Sequence, residues 1–127
     1  MNAGGIGNDW PNAIKERYKK WVTEIDLKAV NHKSHRYVYN FHKQLKRYGI
    51  NHFFFTCYEP WLDIGHRLDW DGYYLEPYDR NYTYYNWCQQ NGFKTVRPDS
   101  YHFGPDAHAA WADFLHKNMV KDMLTRN

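Results

Sequence analysis

The sequence predicts an α/β fold, a parallel sheet with flanking helices, in one domain that covers residues 1–127. Three observations predict it. Two short apolar segments, residues 50–57 and 93–96, each follow a helix stop signal, as buried parallel strands do. Stretches with helical spacing alternate with these segments. The aromatic content of 20% favours a folded chain, because disordered chains are poor in aromatic residues.

The first predicted helix begins near Asn8 or Asp9, either of which can cap it, with Pro11 in the first turn. Apolar residues then recur at the spacing of one helix face. They are Ile14, Tyr18, Trp21, Val22 and Ile25.

A second helix is predicted from Lys33 or Ser34 to Gly49, a natural helix stop. The apolar segment 50–57 follows as a strand. Residues 58–80 then form a long loop rich in Trp, Tyr, Pro and Gly, and loops of this length are more often functional than neutral.

The remaining pattern is a short helix capped by Asn81, a strand over residues 93–96, and a final helix that starts at Pro105. Helices alternating with strands in this order indicate right-handed crossovers between parallel strands. The sequence therefore predicts a three-layer αβα arrangement of the flavodoxin-like kind.

The candidate catalytic residues follow the second predicted strand. Asp99 and His102 lie three residues apart there, where the open sheets of α/β proteins bind their ligands. An aspartate in this position can orient an imidazole and stabilise its charge while the imidazole acts as a general base.

This segment resembles the last conserved block of the SGNH (GDSL-like) hydrolases. The matching residues are Asp99-Ser100-Tyr101-His102 and His108-Ala109-Ala110-Trp111-Ala112-Asp113-Phe114-Leu115. The order of elements over residues 33–120 resembles the second half of that domain, of which phage and marine-microbial forms are familiar. The resemblance implies an incomplete SGNH-like domain in which His102 deprotonates a serine and Asp99 supports it, for hydrolysis of esters or acetylated carbohydrates without a cofactor or metal.

The resemblance stops at the nucleophile. The chain has two serines, Ser34 and Ser100, and neither lies in the Gly-Asp-Ser turn that the family uses. The family's oxyanion-donating asparagine would fall on Asn8, although Ile6 stands where the family has glycine. The candidates for substrate contact are Tyr58, Trp61 and Tyr101. Acyl transfer needs both an activated nucleophile and an oxyanion site, so we expect the chain to be inactive alone.

Two other functions are open: a non-catalytic interaction or structural protein of the phage type, and an accessory protein that binds single-stranded nucleic acid. A nucleic-acid-binding protein would use basic helix faces and the loop aromatics together with Arg67 and Arg80. The loop aromatics are Trp61, Trp70, Tyr73, Tyr74, Tyr78, Tyr82 and Tyr84. A net charge of only +3 argues against nucleic acid.

The expected partners are a second copy of the chain or a complementary N-terminal half, because a lone half-sheet exposes a strand edge. Cys57 and Cys88 are predicted to be free thiols in a reducing compartment. With no apolar run long enough for a membrane span and no signal peptide, the sequence predicts a cytoplasmic protein that does not bind membranes.

Overall fold

The structure, a computed structural model, describes residues 9–62 and 64–124, and its regular elements are helices. They are α1 (Asn12–Glu24), α2 (Leu27–Arg47), α3 (Tyr84–Gln90) and α4 (Pro105–Leu115). A 3₁₀ turn, Arg80–Tyr82, precedes α3. The last helix continues from α4 through a π-helical segment, His116–Val120, into α5 (Lys121–Leu124).

The predicted parallel sheet is wrong: residues 9–62 and 64–124 contain no β-strand, only two isolated bridges. In residues 50–57 a single parallel bridge joins Phe54 to Tyr74. The pairing ends there because the next carbonyl groups of this segment accept hydrogen bonds from α3 instead. The amides of Tyr84 and Tyr85 donate to Thr56 O at 2.9 Å and to Cys57 O at 3.0 Å, as free amides in the first turn of a helix commonly do.

The second predicted strand, residues 93–96, pairs with its own neighbours. Thr95 and Phe103 form an antiparallel bridge, and Val96 N–H donates to His102 O at 2.8 Å. The chain turns back within residues 97–102, and no bridge pairs residues 93–96 with residues 50–57. The three-layer αβα, SGNH-like fold that the sequence predicts is therefore absent from the described part of the chain.

The helices follow local signals only in part. Helix α1 begins after Pro11 without a side-chain cap, and Thr83, not the predicted Asn81, caps α3. Helix α2 begins at Leu27, six residues before the predicted start, because the Asp26 side chain accepts the amide of Ala29 at 3.1 Å and so caps it. It ends before Gly49, whose φ of 68° is the left-handed conformation typical of a helix stop. Helix α4 begins at Pro105, as predicted.

The apolar core lies between α3, α4 and the loops beside them. Its buried residues are Leu75, Cys88, Phe103, Ala107, Trp111, Leu115 and Met119. Helix α1, by contrast, has no buried side chain. None of the described helices is long and apolar enough to cross a bilayer.

Candidate functional site

The loop that carries Asp99 and His102 is anchored, but it does not join their side chains. Phe103, directly after the loop, is buried, and His102 N–H donates to Ser100 Oγ at 3.0 Å. The carboxylate of Asp99 faces Arg97, with 3.7 Å between Oδ1 and Nε. Both predicted catalytic side chains are exposed, and no hydrogen bond links them within the described residues. Asp99 therefore does not orient the imidazole in this arrangement.

Two of the predicted substrate-contact residues do come together. Tyr58 OH donates to Tyr101 O at 3.4 Å, and their rings lie edge to face with centroids 6.2 Å apart. Tyr85 lies beside both, at 5.8 Å from Tyr58 and 5.7 Å from Tyr101. The result is a small tyrosine cluster next to the loop of His102.

Trp61, the third such residue, lies elsewhere. Its Nε1–H donates to Tyr74 OH at 3.1 Å, and its ring packs 5.3 Å from the ring of His35 under α2. Asn8, the predicted oxyanion donor, falls outside the residues that the structure describes. The structure thus brings together only part of the predicted site.

The loop of residues 58–80, here called the aromatic loop, turns several of its rings inward. They pack against the side of α2 that carries His35 and His42, its underside. The Tyr78 hydroxyl is the centre of that contact. It accepts Leu68 N–H at 2.8 Å and Trp70 Nε1–H at 3.1 Å, so its own proton is left for Nε2 of His35, 2.8 Å away. A phenol has one proton to give, and His35 is therefore the acceptor. Burial lowers the pKa of His35, and the nearby His32 and His66 lower it further.

A tight turn brings a carboxylate to the same underside. Asp71 has a φ of 55° and Gly72 one of 80°, which is the Asp-Gly turn with two left-handed residues. Asp71 Oδ2 accepts a hydrogen bond from Lys46 Nζ at 2.9 Å and lies 3.5 Å from Nε2 of His42. The hydrogen bond from Lys46 is the main cause that lowers the pKa of Asp71.

The opposite side of α2 is a different kind of surface, which we call the α2 outer face. Its residues line a shallow depression, and all of them belong to this one helix. They are Tyr37, Asn40, Phe41, Lys43, Gln44 and Arg47. The rings are open to solvent, with Tyr37 62% and Phe41 51% exposed.

Positive charge is concentrated on α2. The helix contains no acidic residue, and its cationic residues are Lys28, Lys33, Arg36, Lys43, Lys46 and Arg47. Two of them lie over aromatic rings: Lys33 Nζ is 5.6 Å from the Tyr37 centroid and Lys43 Nζ is 5.2 Å from the Tyr39 centroid. Exposed aromatic rings interleaved with cations can stack bases and neutralise phosphates.

The nucleic-acid hypothesis from the sequence named basic helix faces but did not predict that Tyr37 and Phe41 accompany them on this face. The spacing of these residues in the sequence could have indicated the face. Lys33, Tyr37, Phe41 and Gln44 recur every three or four residues, which places them on one face of a helix. The loop aromatics, which the nucleic-acid hypothesis would use as its stacking platform, instead supply much of the layer beneath α2.

Among the side chains of residues 9–62 and 64–124, no group of three His, Cys, Asp or Glu residues is arranged to hold a metal ion. Comparison of the chain with protein-family models, curated proteins and solved structures finds no match. The SGNH resemblance therefore stays a prediction from the motif over residues 99–115, without the sheet that it implied.

Proposed function

We propose that this protein is a non-catalytic binding protein that holds single-stranded nucleic acid on the α2 outer face. The observation that carries the proposal is the pairing of solvent-open rings with Lys33, Lys43 and Arg47, on a helix that has no acidic residue. The weak net charge of the whole chain hides this concentration.

The chemistry of the face suits a single strand. Tyr37 and Phe41 offer ring surfaces on which unpaired bases can stack, and stacking contributes about 1–3 kcal/mol per base. Lys43 and Arg47 flank the rings and can neutralise phosphates. Asn40 and Gln44 lie among them and can both donate and accept hydrogen bonds with base edges or sugars.

A bilayer and a small molecule fit the face less well. An interfacial helix needs a continuous apolar stripe, and the amides of Asn40 and Gln44 interrupt this one. Pockets for small ligands are concave and bury most of the ligand, whereas a depression lined by one helix has no opposing wall.

The test is fluorescence anisotropy with a labelled oligothymidine of about 15 nucleotides, near the upper end of common site sizes, titrated at several salt concentrations. We expect saturable binding that weakens as salt rises. Substituting Tyr37→Ala should weaken it about 5- to 150-fold, the loss of one stacked base. Tyr101→Ala, an equally open tyrosine outside α2, is the matched control and should change nothing.

The charges have their own test. Lys43→Gln or Arg47→Gln should each reduce the slope of log affinity against log salt by about 0.7, the value for one phosphate contact on a single strand. Lys117→Gln, an exposed lysine of the last helix, should leave the slope unchanged. No binding at low salt, or binding only to phosphatidylglycerol vesicles, would refute the proposal.

The hydrolase function stays a second candidate because of one observation. The imidazole of His102 is exposed on an anchored loop beside the Tyr58–Tyr101 pair, so a serine from another chain could approach it. We expect no hydrolysis of p-nitrophenyl acetate by the chain alone. Activity that appears with the chain alone and is lost in His102→Ala would favour this candidate instead.

The predicted cytoplasmic location, where RNA is abundant, is compatible with the proposal. It remains a prediction, as does the homo-oligomer. Sedimentation of the purified chain with and without the oligonucleotide would measure the oligomeric state directly.

A further inference from the structure

Beneath α2, four groups form a connected row of hydrogen-bonding atoms. His52 Nδ1 lies 2.7 Å from Ile50 O, and His52 Nε2 lies 2.8 Å from His42 Nδ1. At the other end, His42 Nε2 lies 3.5 Å from Asp71 Oδ2. His42 is fully buried, and its Nε2 has no hydrogen-bond partner.

The protons in this row can be counted. Ile50 O only accepts, so Nδ1 of His52 carries a proton. A neutral His52 then has a bare Nε2, which must accept from Nδ1–H of His42. A neutral His42 is in turn bare at Nε2, and that lone pair faces the carboxylate of Asp71. Two neutral rings carry two N–H protons, whereas the row contains three contacts that need one. The contact left without a proton is the 3.5 Å one between His42 Nε2 and Asp71 Oδ2.

One additional proton fits, and a second does not. With one more proton, Nε2–H of His42 can donate to Asp71, and every nitrogen in the row is satisfied. With two more, Nδ1 of His42 and Nε2 of His52 would both carry protons across 2.8 Å. Two like charges and two donors facing each other at that distance cannot remain paired.

The surroundings set when the first proton binds. The groups that face the pair are Asp71 from the Asp-Gly turn, Lys46 and the Tyr39 ring from α2, and the rings of Trp70 and Tyr73. Burial is the largest influence on the pKa of His42 and lowers it. Asp71 raises this pKa while His52 and Lys46 lower it, and the net shift is downward. His42 is therefore harder to protonate than an ordinary imidazole, which favours the neutral row counted above.

We propose that His42 and His52 act as a one-proton clasp between α2 and the segments that carry His52 and Asp71. The clasp accepts one shared proton in place, and a second proton separates the two rings. This inference is independent of the nucleic-acid proposal, since it concerns the buried side of α2 and its test measures the protein without any ligand.

The test is a pH titration of the imidazole nitrogens by long-range ¹H–¹⁵N NMR correlation on the intact chain. At neutral pH we expect both rings to carry the proton on Nδ1. On acidification they should share one titration step with a common midpoint. A second step at lower pH should coincide with loss of the His52–Tyr73 stack, whose centroids are 4.6 Å apart. Exposed His116 serves as the internal reference.

Two variants should move the first midpoint in opposite directions. Asp71→Asn removes the carboxylate and should weaken proton affinity severalfold, while Lys46→Met removes a competing cation and should strengthen it. If either variant fails to fold, the other still tests the sign. Separate midpoints for His42 and His52, a neutral His42 protonated at Nε2, or a first midpoint that neither variant moves would overturn the clasp.

Discussion

The two sides of the molecule are held together by different chemistry. Between α3 and α4, Trp111, Leu115 and Met119 are buried against other apolar groups. Under α2, the most buried side chains are His35 and His42, at 2% and 0% exposed, and they are held through hydrogen bonds to Tyr78 and His52. Trp111, Leu115 and Met119 carry no titratable group, whereas the packing under α2 depends on which imidazole nitrogens carry protons. One chain therefore combines a region that only temperature or denaturant should open with one that acid should also weaken.

The largest expected effect is on the apolar side. Trp111→Ala removes the ring that contacts Tyr84, Trp87 and Phe114, and large-to-small changes of this kind cost about 3–5 kcal/mol. Urea denaturation should show this loss. Trp21→Ala, at a 48% exposed tryptophan of α1, should change the free energy of unfolding by no more than about 0.5 kcal/mol. Equal losses in the two variants would remove the contrast between core and surface.

On the polar side, we expect the Tyr78 hydroxyl to matter most. Tyr78→Phe leaves Leu68 N–H, Trp70 Nε1–H and His35 Nε2 without their partner, and unsatisfied buried groups cost about 1–3 kcal/mol. Thermal melts should show a loss of about 2–3 kcal/mol. Tyr101→Phe, at a tyrosine that is 56% exposed, serves as the control and should melt like the parent.

Acid should separate the two regions. The pKa of His35 and that of His42 are both lowered in the folded chain, so the unfolded chain binds more protons below pH 6.5, the ordinary value. Stability is then complete above about pH 6.5 and falls as pH drops toward the folded pKa values, by at most about 1.4 kcal/mol per pH unit for each proton.

Urea titrations at pH 7.5, 6.5 and 5.5 measure this slope. His35→Gln keeps an acceptor for Tyr78 but cannot be protonated, so it should flatten the slope, whereas His116→Gln, at an exposed position, should not. A slope that both variants leave intact would place the acid sensitivity outside the layer under α2.

The smallest expected effects come from the helix caps, one in each region. Thr83 is 1% exposed; its Oγ1 accepts Asn86 N–H and donates to Arg80 O. Asp26 caps α2 from an exposed position. We expect Thr83→Ala to cost up to about 2 kcal/mol and Asp26→Ala about 1 kcal/mol. Thr83→Ser and Asp26→Asn keep the caps and should restore most of the loss, as measured by hydrogen exchange in the first turns of α3 and α2.

The features that could be predicted from the sequence are the local ones. The end of α2 just before Gly49 and the start of α4 at Pro105 depend on residues next to them in the chain. The predicted strands depend on partners far away. Here the carbonyls of Thr56 and Cys57 accept amides of α3, while residues 93–96 pair with Phe103 and its neighbours. An apolar run shows that a segment is suited to burial and does not show which backbone will meet it.

The candidate site divides in the same way. The spacing of Tyr37, Phe41 and Gln44 was readable, and so was Asp71-Gly72 as a tight turn. That Asp71 would meet His42 and Lys46 was not readable, because residues more than twenty positions apart are joined there only by the path of the loop.

The two cysteines allow the opening of the apolar core to be timed by chemical labelling. Cys57 is exposed, whereas Cys88 is fully buried on α3, and burial raises the pKa of its thiol to about 11. Because the thiolate is the reactive form, a thiol-specific dye should modify Cys57 rapidly and Cys88 only when α3 separates from α4. The delay between the first and the second label would time the spontaneous opening of that core in the intact, unmutated chain.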